Sequence, residues 1–95
     1  MAYFTIRIEL SMHSPELYAQ LDLLMIQEGF RKTVTLGKHA YTLPTGEYNF
    51  IGNLFITDVR ELAKRTAEKS GGEFSLLVTE SKGIRQWYNL PVASR

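Results

Sequence analysis

The chain contains no cysteine, which excludes disulfides, thiolate metal ligands and a cysteine nucleophile, and leaves the redox compartment unmarked. It has two histidines, His13 and His39, and their separation does not match the paired spacing of a zinc site. No GxGxxG or Walker pattern occurs, and Gly71-Gly72 stand where a helix ends instead of where one opens; nucleotide binding of those kinds is excluded. No serine sits in a GxSxG elbow, so a hydrolase of that class is not expected. No apolar run approaches the roughly 18 residues of a membrane span, and the first fifteen residues alternate in character instead of forming an export signal. A cytoplasmic, unprocessed chain with no membrane partner is expected. An excess of one charge is also lacking: eleven basic against ten acidic residues give a formal net charge of +1. No global field draws the protein onto nucleic acid or an anionic membrane, so any RNA binding must rest on a local patch.

What is present is one domain's worth of core, 95 residues with 44% hydrophobic side chains. Phe4, Ile6, Ile8 and Leu10 alternate with Tyr3, Thr5, Arg7 and Glu9, the period-two pattern of a strand with one buried face. Ser14-Pro15-Glu16 then reads as a helix start: a cap, a proline suited to the first helical position and an acid in the first turn. Leu17, Leu21, Leu24 and Met25 recur at helical spacing, and Gly29-Phe30 closes the helix. Extended character runs over 30–36 and resumes at 41–43 after a turn or bulge at Gly37-Lys38. Pro44-Thr45-Gly46 reads as a hairpin turn into a strand over 47–55. Thr57 is the expected cap of a second helix with Val59, Leu62, Ala63, Thr66 and Ala67 on its inner face. A strand over 74–79 follows, then a turn at Lys82-Gly83 and a short strand over 84–88. The order is that of an α+β, ferredoxin-like βαββαβ sandwich, with two helices on one face of an antiparallel sheet and a short extra C-terminal strand. The single domain spans 1–90, with 91–95 as a fraying tail. The uncovered sheet face, bearing Tyr3, Ile51 and Leu77, or the terminal strand, is expected to form a homodimer.

Candidate chemistry gathers on the polar side of the first strand. Glu9 can serve as a base or as an oxygen ligand for a divalent metal, with the second carboxylate supplied across a dimer axis; nothing in the sequence requires a metal. His13, in the loop after it, can act beside Glu9 as an acid or base. Arg31, Lys32 and Lys38 cluster around the next strand, Lys82 and Arg85 lie near the last, and Tyr3, Tyr41, Trp87 and Tyr88 are interspersed. Cations for phosphates and aromatic faces for unpaired bases are the needs of single-stranded RNA recognition, although no RNP1 motif is present.

Leu21-Asp22-Leu23-Leu24-Met25 with Gly29-Phe30, Leu43-Pro44, and Arg85-Gln86-Trp87-Tyr88 together resemble the GhoS family, the small endoribonuclease antitoxins of type V toxin–antitoxin systems. Their ferredoxin-like fold is similar to that of small CRISPR-associated nucleases. The resemblance implies a bacterial cytoplasmic protein that cleaves single-stranded toxin mRNA and makes no contact with the toxin itself. On that reading the candidate residues above take their roles: Glu9, Arg7 and His13 in catalysis and Tyr3, Arg31, Lys32, Arg85 and Trp87 in holding RNA, with Arg7 and Arg31 meeting phosphate and Tyr3 and Trp87 stacking on bases. Two positions depart from the family pattern: Glu9 stands where it has an aspartate, and Asp22 lies near the place of an arginine on the first helix. The other class of function open to this sequence is a non-catalytic, dimeric protein-interaction module of phage or mobile-element origin.

Overall fold

The computed structural model describes residues 1–93. Strand β1 (Ala2–Leu10) follows its alternation: Phe4, Ile6, Ile8 and Leu10 are at most 3% exposed, whereas Arg7 and Glu9 meet solvent. Each such buried side chain contributes about 1.5–3 kcal/mol relative to exposure. β1 is central because it pairs antiparallel on both sides, with β4 (Glu47–Gly52) and with β5 (Phe74–Ser81), placing Ile6 between Tyr48 and Val78. A hairpin of β2 (Thr33–Leu36) and β3 (His39–Thr42) continues the sheet beyond β4. It is joined there by an antiparallel bridge between Arg31 and Asn49, whose two backbone hydrogen bonds are 2.7 Å each.

Helices α1 (Pro15–Gln27) and α2 (Ile56–Glu68) cover one face, delivering Leu21, Met25, Val59, Ala63 and Ala67 to the same core as the inward residues of β1. The architecture is the ferredoxin-like α+β sandwich. Ser14 caps α1 through its Oγ, which accepts from the Leu17 amide. At the other end the Phe30 amide donates to the Met25 carbonyl and the Gly29 amide to that of Ile26, with Gly29 at φ +96°. These two bonds and the Phe30–Met25 contact are the full Schellman termination that glycine permits.

Several boundaries differ from the sequence reading. Gly37 takes φ +63° and reverses the chain, so 30–43 is a separate hairpin and Pro44–Gly46 links β3 to β4 without pairing them. α2 begins at Ile56, with Phe55 as its cap residue and no side-chain capping bond; Thr57 lies inside the first turn, because the helix starts ahead of it.

The largest difference is C-terminal. No strand forms over 84–88. Gly83, at φ +85°, turns the chain back over the polar face of the sheet. Arg85 Nη2 donates to the Phe4 carbonyl at 3.1 Å and the Trp87 ring packs against Tyr41 at 5.4 Å between centroids. The Thr42 amide then donates to the Pro91 carbonyl and the Ala93 amide to that of Ala40, both at 2.8 Å. The extra C-terminal pairing is therefore the Tyr41–Val92 bridge at the β3 edge. Pro91–Ala93, expected to fray, are held there, and Ser94 and Arg95 of the expected tail lie outside the described residues. The face expected to be open is crossed by this strap near Tyr3 and Phe4. Beyond it, Leu77 remains 64% exposed.

Candidate functional site

Two amide contacts shape the end of β1. The Ile8 amide donates to the Gly46 carbonyl at 2.8 Å, drawing the β3–β4 connection alongside. The Leu10 amide donates to the Tyr18 hydroxyl at 3.0 Å, fixing the start of α1 on the other side. Between these walls lies a cleft of about 630 Å³ whose lining includes Arg7, Glu9, His13, Tyr18, Asp22 and Lys32. His13 Nε2 stands 3.7 Å from Glu9 Oε2, with the side chains 67% and 62% exposed. A pair this open adds little stability, but both groups are within reach of a substrate. The His13 ring meets Tyr18 edge-on at 6.3 Å. All three residues expected in catalysis, Arg7, Glu9 and His13, are thus brought into one cleft.

Lys32 enters the same cleft from behind, and its ammonium is already engaged. Nζ donates to the Pro44 carbonyl at 2.6 Å and to the Glu47 carbonyl at 3.1 Å, and lies 4.9 Å from the centre of the Tyr48 ring. Burial lowers its pKa, while the nearby Asp22 and Glu47 carboxylates oppose that shift. Expected as an RNA contact, Lys32 is in the fold a clamp that closes the Pro44–Glu47 loop.

The other residues expected to hold RNA form a second group. Tyr3, Arg31, Arg85 and Trp87 border a hollow of about 250 Å³ under the strap. Tyr3 and Glu9 lie on the same face of β1, separated by about 20 Å at the usual rise per residue. The Arg85 guanidinium lies 6.0 Å from the Tyr3 ring centre. Partial burial of Arg85 lowers its pKa, against the favourable influence of Tyr3. The two aromatic groups expected to stack on bases are therefore partly occupied by the chain itself, Tyr3 by Arg85 and Trp87 by Tyr41.

A search of protein-family models, of curated proteins and of solved structures finds no match to this chain. The site must be read from its own residues. Among the described residues no group of three His, Asp or Glu side chains is placed to share a metal ion. Glu9 with His13 offers two donors, which does not fit a metal held within one chain. Among the described residues no helix is long and apolar enough to cross a membrane.

Three participants were not legible as site residues. Asp22 reads as one of the polar positions of an amphipathic helix, yet it accepts a 2.5 Å hydrogen bond from the Tyr48 hydroxyl. Tyr18 reads as part of the apolar stripe, and its hydroxyl is what fastens the cleft. Asn49 reads as an outward strand residue but is only 5% exposed, because the strap covers it. Its position opposite Thr5 on β1 follows only from the register.

Proposed function

We propose that this protein is a GhoS-like, single-strand-selective endoribonuclease acting in the bacterial cytoplasm on the mRNA of a small toxin. The observation that supports this reading is the convergence of Arg7, Glu9 and His13 in one accessible cleft, with Glu9 and His13 3.7 Å apart. RNA carries its own nucleophile, so the enzyme has to move two protons and steady one charged transition state. Glu9 takes the proton of the 2′-hydroxyl as its oxygen attacks phosphorus. His13, protonated, donates to the 5′-oxygen as the P–O5′ bond breaks. Arg7 faces the charge gathered on the phosphorane, the electrostatic contribution that is usually largest. The products are a 2′,3′-cyclic phosphate and a 5′-hydroxyl, with atoms and protons in balance. With a net charge of +1, affinity must come from local contacts, Arg31 on phosphate and Tyr3 or Trp87 on bases.

The test is incubation of end-labelled single-stranded RNA with the wild type and with Glu9→Gln, His13→Ala and Arg7→Ala. The wild type should leave cyclic-phosphate ends, and each variant should be slower by about 10²–10⁴-fold while still shifting the RNA on a native gel. Intact RNA in every lane with no shift overturns the reading. Cleavage undiminished in Glu9→Gln retains an endoribonuclease but moves its site.

The second reading, a dimeric protein-interaction module, is supported by the β5 edge. Among the described residues that strand pairs on one side only, with β1, and it carries Leu77 exposed. A dimer in solution without RNA binding would favour it.

A further inference from the structure

The strap leaves two hollows over the sheet, of about 400 and 250 Å³, and Asn49, Arg85 and Trp87 border both. Asn49 is 5% exposed; its Nδ2 donates weakly to the Thr33 carbonyl at 3.4 Å, whereas its buried Oδ1 has no partner among the described residues. Arg85 Nε is likewise buried and unpartnered among them, while Nη2 holds the Phe4 carbonyl. A buried acceptor and a buried donor on two residues that border the same hollows, both without partners among the described residues, cost free energy in the closed arrangement, so a ligand that satisfies both is favoured. A phosphate suits Arg85 and leaves the Asn49 oxygen unmet, a cation does the reverse, and an apolar ligand serves neither. The hydrogen-bonding edge of a nucleobase carries a donor beside an acceptor and suits both. The smaller hollow lies below the roughly 300–1,000 Å³ of sites for drug-sized molecules, a scale that matches one ring system. Tyr3 and Trp87 supply aromatic faces, and Arg31 stands at the rim.

We propose that the space under the strap is a pocket for one unpaired nucleobase, which enters as the strap lifts and hydrogen-bonds to Asn49 Oδ1 and Arg85 Nε. With RNA as the source of the base, this deepens the endoribonuclease reading and rests on it: a base held here places the attached strand along the polar face of β1, toward Arg7 and Glu9. A free mononucleotide presents the same chemistry.

The experiment uses the intact wild-type chain and two probes: a short mixed-sequence RNA, 2′-O-methylated so that it is not cut, and each of the four ribonucleoside monophosphates. Trp87, the sole tryptophan, should report binding by a saturable change in emission. In ¹⁵N–¹H spectra the Asn49 carboxamide and Arg85 Nε–H signals should move at the same ligand concentration. Asn49→Leu should weaken binding about tenfold, the loss of one buried hydrogen bond; if that variant fails to fold, the wild-type spectra decide alone. RNA that binds and, when unmodified, is cleaved while both signals stay in place overturns the pocket and leaves the endoribonuclease standing. Mononucleotides that move both signals while RNA is neither bound nor cut support the pocket and overturn the endoribonuclease. Binding of neither probe overturns the pocket.

Discussion

The Tyr48 hydroxyl donates to Asp22 Oδ1 at 2.5 Å, tying the buried centre of β4 to the middle of α1. The same carboxylate faces the Lys32 ammonium, which lies against the Tyr48 ring. An arginine at position 22 could not accept from Tyr48 and would meet Lys32 as a like charge, so a carboxylate there belongs to the packing of this core.

Tyr48 makes the fold sensitive to alkali. Burial, then the bond to Asp22, raises its pKa well above the ordinary 10.0. The folded chain thus keeps a proton that the unfolded chain loses, and stability falls as pH rises above about 10, by up to about 1.4 kcal/mol per unit. Lys32, with its pKa lowered, acts in the opposite sense near the same range, so the measurement is a difference. Urea midpoints at pH 9 and 11 should fall more for the wild type than for Tyr48→Phe, even though Tyr48→Phe is weaker by about 1–2 kcal/mol at pH 7 through its lost hydrogen bond.

Gly46 should tolerate no side chain. Its φ is +81° and an added Cβ would come within 2.4 Å of the Ile8 carbonyl oxygen. Gly46→Ala is expected to cost at least about 2 kcal/mol, read by thermal unfolding, and to loosen the cleft wall, read by faster amide exchange at Ile8.

Lys32→Met should act on stability. Removing an ammonium that bonds two carbonyls across the Pro44–Glu47 loop should lower stability by about 1 kcal/mol, discounted for its half exposure. For a domain of this size that is a fall in Tm of about 4–8 °C.

Arg85→Ala should free the strap and leave the sandwich intact. Hydrogen exchange is expected to speed up at the Ala93 and Thr42 amides, which bond Ala40 and Pro91, while amides between β1 and its neighbours keep their protection. Equal acceleration throughout would mean that Arg85 supports the core instead.

The order of elements and the inward face of each follow from local signals along the chain. Phe4, Ile6, Ile8 and Leu10 alternate without exception, Ser14-Pro15 and Gly29-Phe30 carry strong local preferences, and Val59, Ala63, Thr66 and Ala67 share one helical face; such signals act over a few residues and survive any tertiary context. Arg7, Glu9 and His13 also lie near one another because they are close in sequence around a strand end. Where the long-range partners meet depends on the folded chain as a whole. Lys32 reads as a free cation until the Pro44–Glu47 loop closes on it, and Asn49 reads as exposed until residues 83–93 fold back over it. Ile84–Tyr88 have the composition of a strand, but the turn at Gly83 carries them across the sheet face and they pair with no strand. The anchor at Phe4 lies 81 residues from Arg85, and no local propensity can specify a contact across that distance.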